Sequence, residues 1–149
     1  MFQPYTSRAI DASYCWRSIT DGQIWAPLLD VSIIYRGYES GGLKGVVDSG
    51  ATVTVIEASI GERLGIPVRS GPTDRLAGFM QNDDATIYFH HIQLRVAGAS
   101  VRTMAGFCYG LPVQALLGRH GFFDHFKITF DPLRRGMQID RIAECYDSI

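Results

Sequence analysis

The sequence predicts a single, mostly β domain with one or two short helices. Apolar and polar residues alternate through residues 86–96, and the chain returns through 101–108, which is the pattern of a long β-hairpin. One segment has apolar residues four positions apart, at Ile56, Ile60 and Leu64, which is the spacing of one helical face. The chain has 149 residues, 46% of them hydrophobic, so it is long enough to fold around one core without disulfides.

The first third of the chain is expected to form a buried strand and a hairpin. Residues 1–22 show no periodicity and are interpreted as an arm, a linker or an edge strand. Residues 24–35 alternate and predict one largely buried strand, which the turn-rich run 37–42 closes. A hairpin into a second apolar strand at 43–48 follows from that turn.

The middle of the chain is predicted to contain the helix and the long hairpin. Gly65 and Pro67 are expected to end the helix. The stretch 71–84 is polar at both ends and suits either a mobile hairpin tip or an ordinary surface loop. The long hairpin is expected to turn at Ala97-Gly98.

Three elements complete the predicted fold. They are a short apolar strand at 115–117, a helical turn at 119–126 and a final hairpin with strands at 127–131 and 136–141. The chain is accordingly divided into an arm or extra strand (1–22), one domain (23–141) and a tail (142–149).

Charge and cysteine usage argue against several classes of function. The chain carries 14 Lys and Arg against 15 Asp and Glu, a formal net charge of -1, with no basic run, so no nucleic acid is expected as a partner. Three widely spaced cysteines without a C-x-x-C pair indicate neither a disulfide framework nor a zinc site, and they favour a reducing compartment. The histidines lack metal-ligand spacing, and the adjacent His90 and His91 point to opposite faces of a strand, so no metal or cofactor is expected. No signal peptide and no apolar stretch of about 20 residues is found, which predicts no membrane contact and a cytoplasmic location.

The most informative stretch is an acidic turn between two apolar runs. Residues 43–47 and 53–56 are both expected to be buried strand, and Asp48 lies between them on a turn that Ser49 and Gly50 make sharp. Such a turn has two interpretations. The carboxylate bonds to its own backbone, as in many turns, or it is an acid held in a cavity and poised for chemistry.

Two runs, in this order, resemble the retropepsin-like (retroviral-type) aspartic protease family. The first is Asp48-Ser49-Gly50-Ala51-Thr52, and the second is Leu116-Leu117-Gly118-Arg119, a hydrophobic-hydrophobic-Gly strand followed by Arg. The likeness covers roughly residues 24–139. It departs at Ser49, where Thr is commoner, and at His120, where the family often has Asn or Asp in a position that supports a loop.

The resemblance implies a closed, barrel-like sheet with a flap hairpin, functional as a two-fold homodimer on an extended peptide or protein substrate. It implies Asp48 as the catalytic residue, Ser49 as a hydroxyl bracing two loops and Gly50 as a close backbone contact to substrate. Ala51 and Thr52 complete the active-site loop. The residues implied to support that loop from behind are Leu116, Leu117, Gly118 and Arg119. Order along the chain alone places the substrate-contacting flap at Leu76, Gly78, Phe79 and Met80.

Side-chain specificity is expected to come from pockets lined by Leu76, Met80 and the Leu116-Leu117 strand. An extended peptide is expected to pair with the flap as an added strand.

One acidic turn per chain implies a second chain. Peptide hydrolysis by carboxylates needs one group that takes a proton from water and another that donates a proton to the carbonyl oxygen. No other Asp in the sequence is followed by Ser-Gly or Thr-Gly. The second carboxylate is therefore expected from Asp48 of another copy across a two-fold axis, and the sequence predicts an aspartic endopeptidase that is inactive as a monomer.

Two alternatives stay open at this point. The same fold can serve as a non-catalytic dimeric peptide- or protein-binding module, because fold does not fix function. The chain can also be an unrelated small β-barrel enzyme or ligand carrier, in which Asp48 serves a hairpin turn and the histidines act.

Overall fold

The centre of the molecule is a closed β-barrel. The structure is a computed structural model that describes residues 12–13, 15–18, 23–75, 85–131, 133 and 136–142, with side chains described from residue 27 onward. Its strands are β1 (Ala12–Ser13), β2 (Cys15–Ser18), β3 (Gln23–Ala26), β4 (Leu28–Tyr35), β5 (Tyr38–Glu39), β6 (Leu43–Val47), β7 (Val55–Glu57), β8 (Thr73–Arg75), β9 (Thr86–Val96), β10 (Ala99–Cys108), β11 (Ala115–Leu117), β12 (Phe126–Asp131) and β13 (Gly136–Arg141). The helices are α1 (Ala58–Arg63) and a 3-10 turn at Val68–Ser70.

Six strands close the barrel in the order β4-β6-β11-β7-β10-β9, and β9 pairs back onto β4. β5 and β8 extend this sheet, while β1, β13 and β12 form a second sheet and β2 pairs with β3. The predicted fold class, mostly β with a closed barrel-like sheet, is confirmed. Closure leaves the six central strands without a free edge, so the barrel is a firm support for the loops at its ends.

The barrel interior is filled by the inward-facing residues of alternating strands. Ile33, Leu94, Val96, Phe107 and Leu117 all have an exposure of 0% and belong to one apolar cluster. Each side chain of this kind stabilises the fold by about 1.5–3 kcal/mol when buried. Val47 of β6 and Ile56 of β7 are buried in the same cluster, so the two strands that flank Asp48 are anchored in the core.

Two hairpins turn at residue pairs that both have positive φ. Arg36 and Gly37 have φ of 48° and 82°, and Ala97 and Gly98 have φ of 49° and 80°. Two positive φ angles define the type I′ turn, whose twist matches that of paired strands. The predicted hairpins at these two turns are confirmed.

The predicted helix is confirmed as α1, although Ile56 belongs to β7 and not to the helix. Glu57 caps the first turn by accepting the Ser59 N–H at 3.0 Å. Gly65, with a φ of 84°, ends the helix in the left-handed conformation. Ile60 lies on the buried face, so α1 packs against the barrel.

The single strand predicted for residues 24–35 is wrong. Two strands occupy this range, because β3 ends at Ala26 and β4 begins at Leu28. Pro27 lies between them and has no N–H to give to a ladder. Its carbonyl oxygen accepts the Val47 N–H at 2.9 Å, which ties the break to the strand that precedes Asp48.

The helical turn predicted for residues 119–126 is only partly present: the Phe126 N–H donates to the Phe122 oxygen at 3.1 Å, which is one α-type turn, but no helix forms. The segment is a series of turns in which the Phe123 N–H reaches the Gly118 oxygen and the Asp124 N–H reaches the Arg119 oxygen, both at 3.1 Å. These bonds span five residues, whereas an α-helix needs four. Gly121, with a φ of 97°, departs from helical geometry.

The remaining predicted elements agree with the structure. The strand at 115–117 is β11, and the final hairpin is formed by β12 and β13. Part of the arm forms strands as well: β1 pairs with β13 and β2 pairs with β3. Within the described ranges, no helix is long and apolar enough to cross a membrane.

Candidate active site

Asp48 lies at the end of a core strand, where the chain leaves the barrel. The Asp48 N–H donates to the Leu117 oxygen at 3.0 Å, one residue beyond the last paired residue of β6. Asp48 is half-buried, whereas Ser49 and Gly50 are exposed. The carboxylate therefore starts from a fixed backbone position and lies beside a loop tip that faces solvent.

The loop from Asp48 to Ala51 is a tight turn held by its own aspartate. Asp48 Oδ1 accepts the Gly50 N–H at 2.8 Å, and the Asp48 carbonyl oxygen accepts the Ala51 N–H at 3.1 Å. The turn interpretation of Asp48 is thus correct for one carboxylate oxygen. In the part of the chain that the structure describes, this is the one hydrogen bond made by the Asp48 carboxylate.

β11 lies between the two strands that flank the Asp48 loop. Leu117 pairs with Val47 in the parallel β11–β6 ladder, and Leu116 pairs with Val55 in the antiparallel β11–β7 ladder. The chain that follows β11 therefore passes directly behind the loop. This arrangement explains why two runs so far apart in sequence form one unit.

Gly118 is the point of closest approach between that segment and the loop. A Cβ atom at this position would lie 2.3 Å from the Val53 carbonyl oxygen and 2.9 Å from the Ala51 carbonyl oxygen. Real Cβ atoms essentially never come this close to another heavy atom. A side chain here would push the loop outward, so glycine is required by contact and not by backbone conformation.

Main-chain hydrogen bonds then fasten the loop to the segment after Gly118. The Arg119 N–H donates to Ala51 O and the His120 N–H donates to Thr52 O, both at 2.9 Å, and the Thr54 N–H donates to His120 O at 2.8 Å. The expectation that the position of His120 supports a loop is confirmed. This support comes from backbone atoms, which is why a His can stand where Asn or Asp is commoner.

The Arg119 side chain adds a further contact to the loop. Arg119 Nη1 donates to the Ser49 carbonyl oxygen at 2.9 Å, and Nη2 lies 3.5 Å from Thr52 Oγ1, at the limit of hydrogen-bond reach. The guanidinium holds the exposed side of the turn while Gly118 packs beneath it. The structure therefore brings both predicted runs together.

Thr54 is a site residue that the sequence analysis missed. It has an exposure of 0%, and its Oγ1 accepts the Gly118 N–H at 3.1 Å. This bond satisfies a buried donor that otherwise has no partner in a β-ladder. The available signal was a hydroxyl residue inside an apolar run, between Val53 and Val55.

Two expectations about substrate contacts fare differently. The expectation that Leu116 and Leu117 line specificity pockets is wrong, because their exposures are 1% and 0%. Both side chains belong to the core, although their role in supporting the loop stands. The flap residues Leu76, Gly78, Phe79 and Met80 lie outside the described residues.

Two of the histidine side chains bond to segments away from the Asp48 loop. His90 Nε2 bonds to the Val68 oxygen at 2.8 Å, and His125 Nε2 bonds to Thr103 Oγ1 at 3.2 Å. His120 meets the segment after the loop through its backbone. Among the side chains that the structure describes, no three or more His, Cys, Asp or Glu residues come together as a possible metal site. Within the described residues the Asp48 carboxylate bonds to Gly50 and to no histidine.

Cys108 is a buried free cysteine at the end of β10. Burial, with a smaller contribution from the charge of Glu57, raises the pKa of the Cys108 thiol. A buried thiol with a raised pKa is a poor nucleophile, because the thiolate is the reactive form. The carboxylate of Asp48 is the better candidate for chemistry.

Comparison with known proteins finds similarity in structure and not in sequence. No protein-family model matches the chain, and no curated protein is significantly similar in sequence. The retroviral protease-like domain of Ddi1 from Leishmania major is similar in structure, with a TM-score of 0.52, 16% identity, and coverage of 80% of this chain and 97% of that domain. A retropepsin-like aspartic protease from Rickettsia conorii is also similar, with a TM-score of 0.55, 14% identity, and coverage of 93% of this chain and 96% of that protein. The chain therefore has a retropepsin-like fold.

Proposed function

We propose that the protein is an aspartic endopeptidase in which Asp48 of two identical chains activates a water molecule for peptide-bond hydrolysis. The observation that carries this proposal is the Asp48 loop itself. The loop that carries the carboxylate begins at the end of a core strand and is supported by Gly118, Thr54 and Arg119, yet its tip faces solvent. This support fixes the backbone of the acid while leaving the loop tip open to solvent.

The chemistry calls for two carboxylates that act in opposite senses. One accepts a proton from the attacking water while the other donates a proton to the carbonyl oxygen of the scissile bond. Two such groups held about 3 Å apart share one proton, because both cannot stay ionised, and aspartic proteases as a class work in this way. The pair then titrates as a unit.

The second carboxylate comes from a second chain in this proposal. In the sequence, Asp48 is the one aspartate followed by Ser-Gly or Thr-Gly. Because Ser49 and Gly50 are exposed, two such loops can approach each other across a two-fold axis without unfolding either chain. Ser49 hydroxyls brace the paired loops, and an isolated chain is inactive.

The substrate is an extended peptide or protein segment. β8 and β9 pair in antiparallel register, with Arg75 opposite Thr86, and the segment that joins them contains the proposed flap at Leu76, Gly78, Phe79 and Met80. A hairpin placed there can add a strand to the substrate backbone and cover the site.

The test compares the wild-type chain with Asp48→Asn and with the control Asp30→Asn. Asp30 is an exposed aspartate on β4 whose carboxylate contacts Lys44, so the control removes the same charge away from the loop. Each protein is incubated with a diverse peptide mixture at mildly acidic and neutral pH, and products are identified by mass spectrometry. Light scattering gives the oligomeric state in parallel.

We expect turnover by the wild-type chain and by Asp30→Asn, none by Asp48→Asn, and dimers in all three. A different pattern distinguishes the principal alternative. If none of the three hydrolyses any peptide while dimers form and peptides bind, the protein is a non-catalytic binding module on the same fold. Turnover by Asp48→Asn equal to that of the wild type would contradict the proposal outright.

A further inference from the structure

A cleft of about 710 Å³ lies on the side of the barrel, and none of the residues that line it belongs to the Asp48 loop or to residues 115–120. It forms where β4 leaves β9. The pairing of these strands ends at Ile34 opposite Gln93, and the chain then enters the turn at Arg36 and Gly37. The divergence leaves an open space beside β9 and β10.

The turn at residues 121–125 forms another wall of this cleft and is fixed against β10. A Cβ atom at Gly121 would lie 2.7 Å from the Met104 carbonyl oxygen, so the absence of a side chain lets the two segments meet. Thr103 Oγ1 donates to the Gly121 oxygen at 3.1 Å and accepts from His125 Nε2 at 3.2 Å. The wall is therefore held by named contacts and is not a loose loop.

The charged groups of the cleft are mostly cationic. Arg36 and Arg102 line it from two different segments, and both are charged at every physiological pH. His91 and His125 also line it and add positive charge when protonated. Four basic side chains from four segments of the fold thus face one volume.

The acidic residue in the lining is already engaged. Asp124 is the carboxylate among the lining residues, and its oxygens accept the Gly121 N–H at 3.0 and 3.2 Å. Its Oδ1 also lies 3.7 Å from His125 Nε2, so it offsets the charge of that histidine when the ring is protonated. The guanidinium groups of Arg36 and Arg102 form no ion pair with any side chain that the structure describes.

The rest of the cleft surface is partly apolar. Ile34 and Met104 lie in the same lining, and Met104 is 49% exposed. Arg102 and Met104 are two residues apart on β10, so their side chains leave the same face of that strand. The cleft therefore offers two kinds of contact, for negative charge and for apolar groups.

We propose that this cleft binds an extended peptide segment in which pairs of acidic residues alternate with pairs of apolar ones. Carboxylates suit the two guanidinium groups, which offer planar pairs of N–H donors. Because Arg102 and Met104 project from the same face of β10, an acidic and an apolar side chain on the same side of an extended peptide can contact them together. The binding does not depend on hydrolysis at Asp48.

The test uses the full-length Asp48→Asn chain, labelled with 15N, so that no probe can be cleaved. The probe is a capped hexapeptide, Glu-Glu-Leu-Leu-Glu-Glu, which presents Glu, Leu and Glu on each side of the extended chain, and the matched probe replaces each Glu with Gln. Amide chemical shifts are followed during titration. We expect saturable shifts at residues 34–37, 91–93, 102–104 and 124–125, and an affinity for the Gln peptide that is about tenfold lower, which corresponds to about 1.4 kcal/mol.

A pair of double variants tests the charge directly. Arg36→Gln with Arg102→Gln removes two positive charges from the cleft, whereas Arg63→Gln with Lys127→Gln removes two exposed positive charges outside it. We expect the first to weaken binding of the Glu peptide about tenfold and the second to leave it within about twofold.

Two results would overturn the proposal without any substitution in the cleft. One is an absence of chemical-shift changes at the cleft residues, and the other is equal binding of the Glu and Gln peptides. Displacement of the Glu peptide by an equal concentration of sodium phosphate or acetate would mean that the cleft takes small anions and not a peptide. Equal weakening by both double variants would assign the effect to net charge alone.

Discussion

Gly118→Ala is the smallest change that tests how the Asp48 loop is held. The added methyl carbon would lie 2.3 Å from the Val53 carbonyl oxygen, 2.6 Å from the Val53 carbonyl carbon and 2.9 Å from Ala51 O. All three neighbours are backbone atoms of the loop, so no side chain can rotate away to make room.

The expected magnitude follows from these distances. Ordinary contact begins at 3.4 Å, so the Val53 oxygen must retreat by about 1 Å. Forcing one extra carbon into a packed site costs about 1–3 kcal/mol of the free energy of unfolding. A shift of about 1 Å near a reacting group lowers a catalytic rate by roughly a hundredfold.

The assay is urea unfolding followed by circular dichroism, together with peptide turnover. Gly42→Ala is the matched control, because a Cβ atom at Gly42 meets nothing within 4 Å. We expect that control to change stability by less than about 0.5 kcal/mol and to leave turnover unchanged. If Gly118→Ala unfolds at the same urea concentration as the control and keeps full turnover, the loop is not held by this contact.

Three further changes probe neighbouring features of the fold. Thr54→Val leaves the buried Gly118 N–H without its acceptor, so we expect the free energy of unfolding in urea to fall by about 1–3 kcal/mol. Thr54→Ser keeps the hydroxyl and is the control; an equal loss of stability in both variants would show that the bond is unimportant. Arg119→Leu removes the exposed contact to the Ser49 oxygen, so we expect a stability loss below about 1 kcal/mol but clearly reduced turnover, and unchanged turnover would count against a positioning role. Because burial raises the pKa of the Cys108 thiol, we expect iodoacetamide at pH 8 to label Cys108 slowly in the native protein and quickly in urea. Peptide mass spectrometry measures both labelling rates, and fast labelling of the native protein would contradict the burial of this thiol.

The strands with regular alternation could be predicted because side-chain period is a local property. β9, β10, β12 and β13 all follow from apolar residues at every second position. The errors arose where one residue overrode the pattern. Pro27 breaks an otherwise continuous alternation, and Gly121, with a φ of 97°, leaves a single helical turn where a longer one was predicted from Arg119 onward.

The two segments of the candidate site could be predicted from the sequence, but the way they are built together could not. The order of the two motifs pointed to Asp48 and to the Gly118 segment, and the structure places these together. That Leu116 and Leu117 are core residues, and not pocket walls, depends on which way β11 faces in the closed barrel. The pairing of β11 with β6 and β7 fixes the orientation of these side chains. A strand of three residues is too short for its side-chain spacing to reveal that pairing from sequence.

The basic cleft could not have been found from sequence. Arg36, His91, Arg102 and His125 are widely separated along the chain and form no run. They meet because β4 pairs with β9 across the barrel closure and because the 121–125 turn packs on β10. Both contacts join segments that are distant in sequence, so they are consequences of the tertiary fold.

The most direct test of catalysis by paired carboxylates is a mixing experiment between wild-type and Asp48→Asn chains. At a ninefold excess of Asp48→Asn and free exchange of subunits, only about a tenth of the wild-type chains have a wild-type partner. If both carboxylates of a pair are needed, peptide turnover per wild-type chain falls to about a tenth of its unmixed value. If turnover per wild-type chain is unaffected while mass spectrometry shows mixed dimers, one Asp48 suffices and the paired site does not exist.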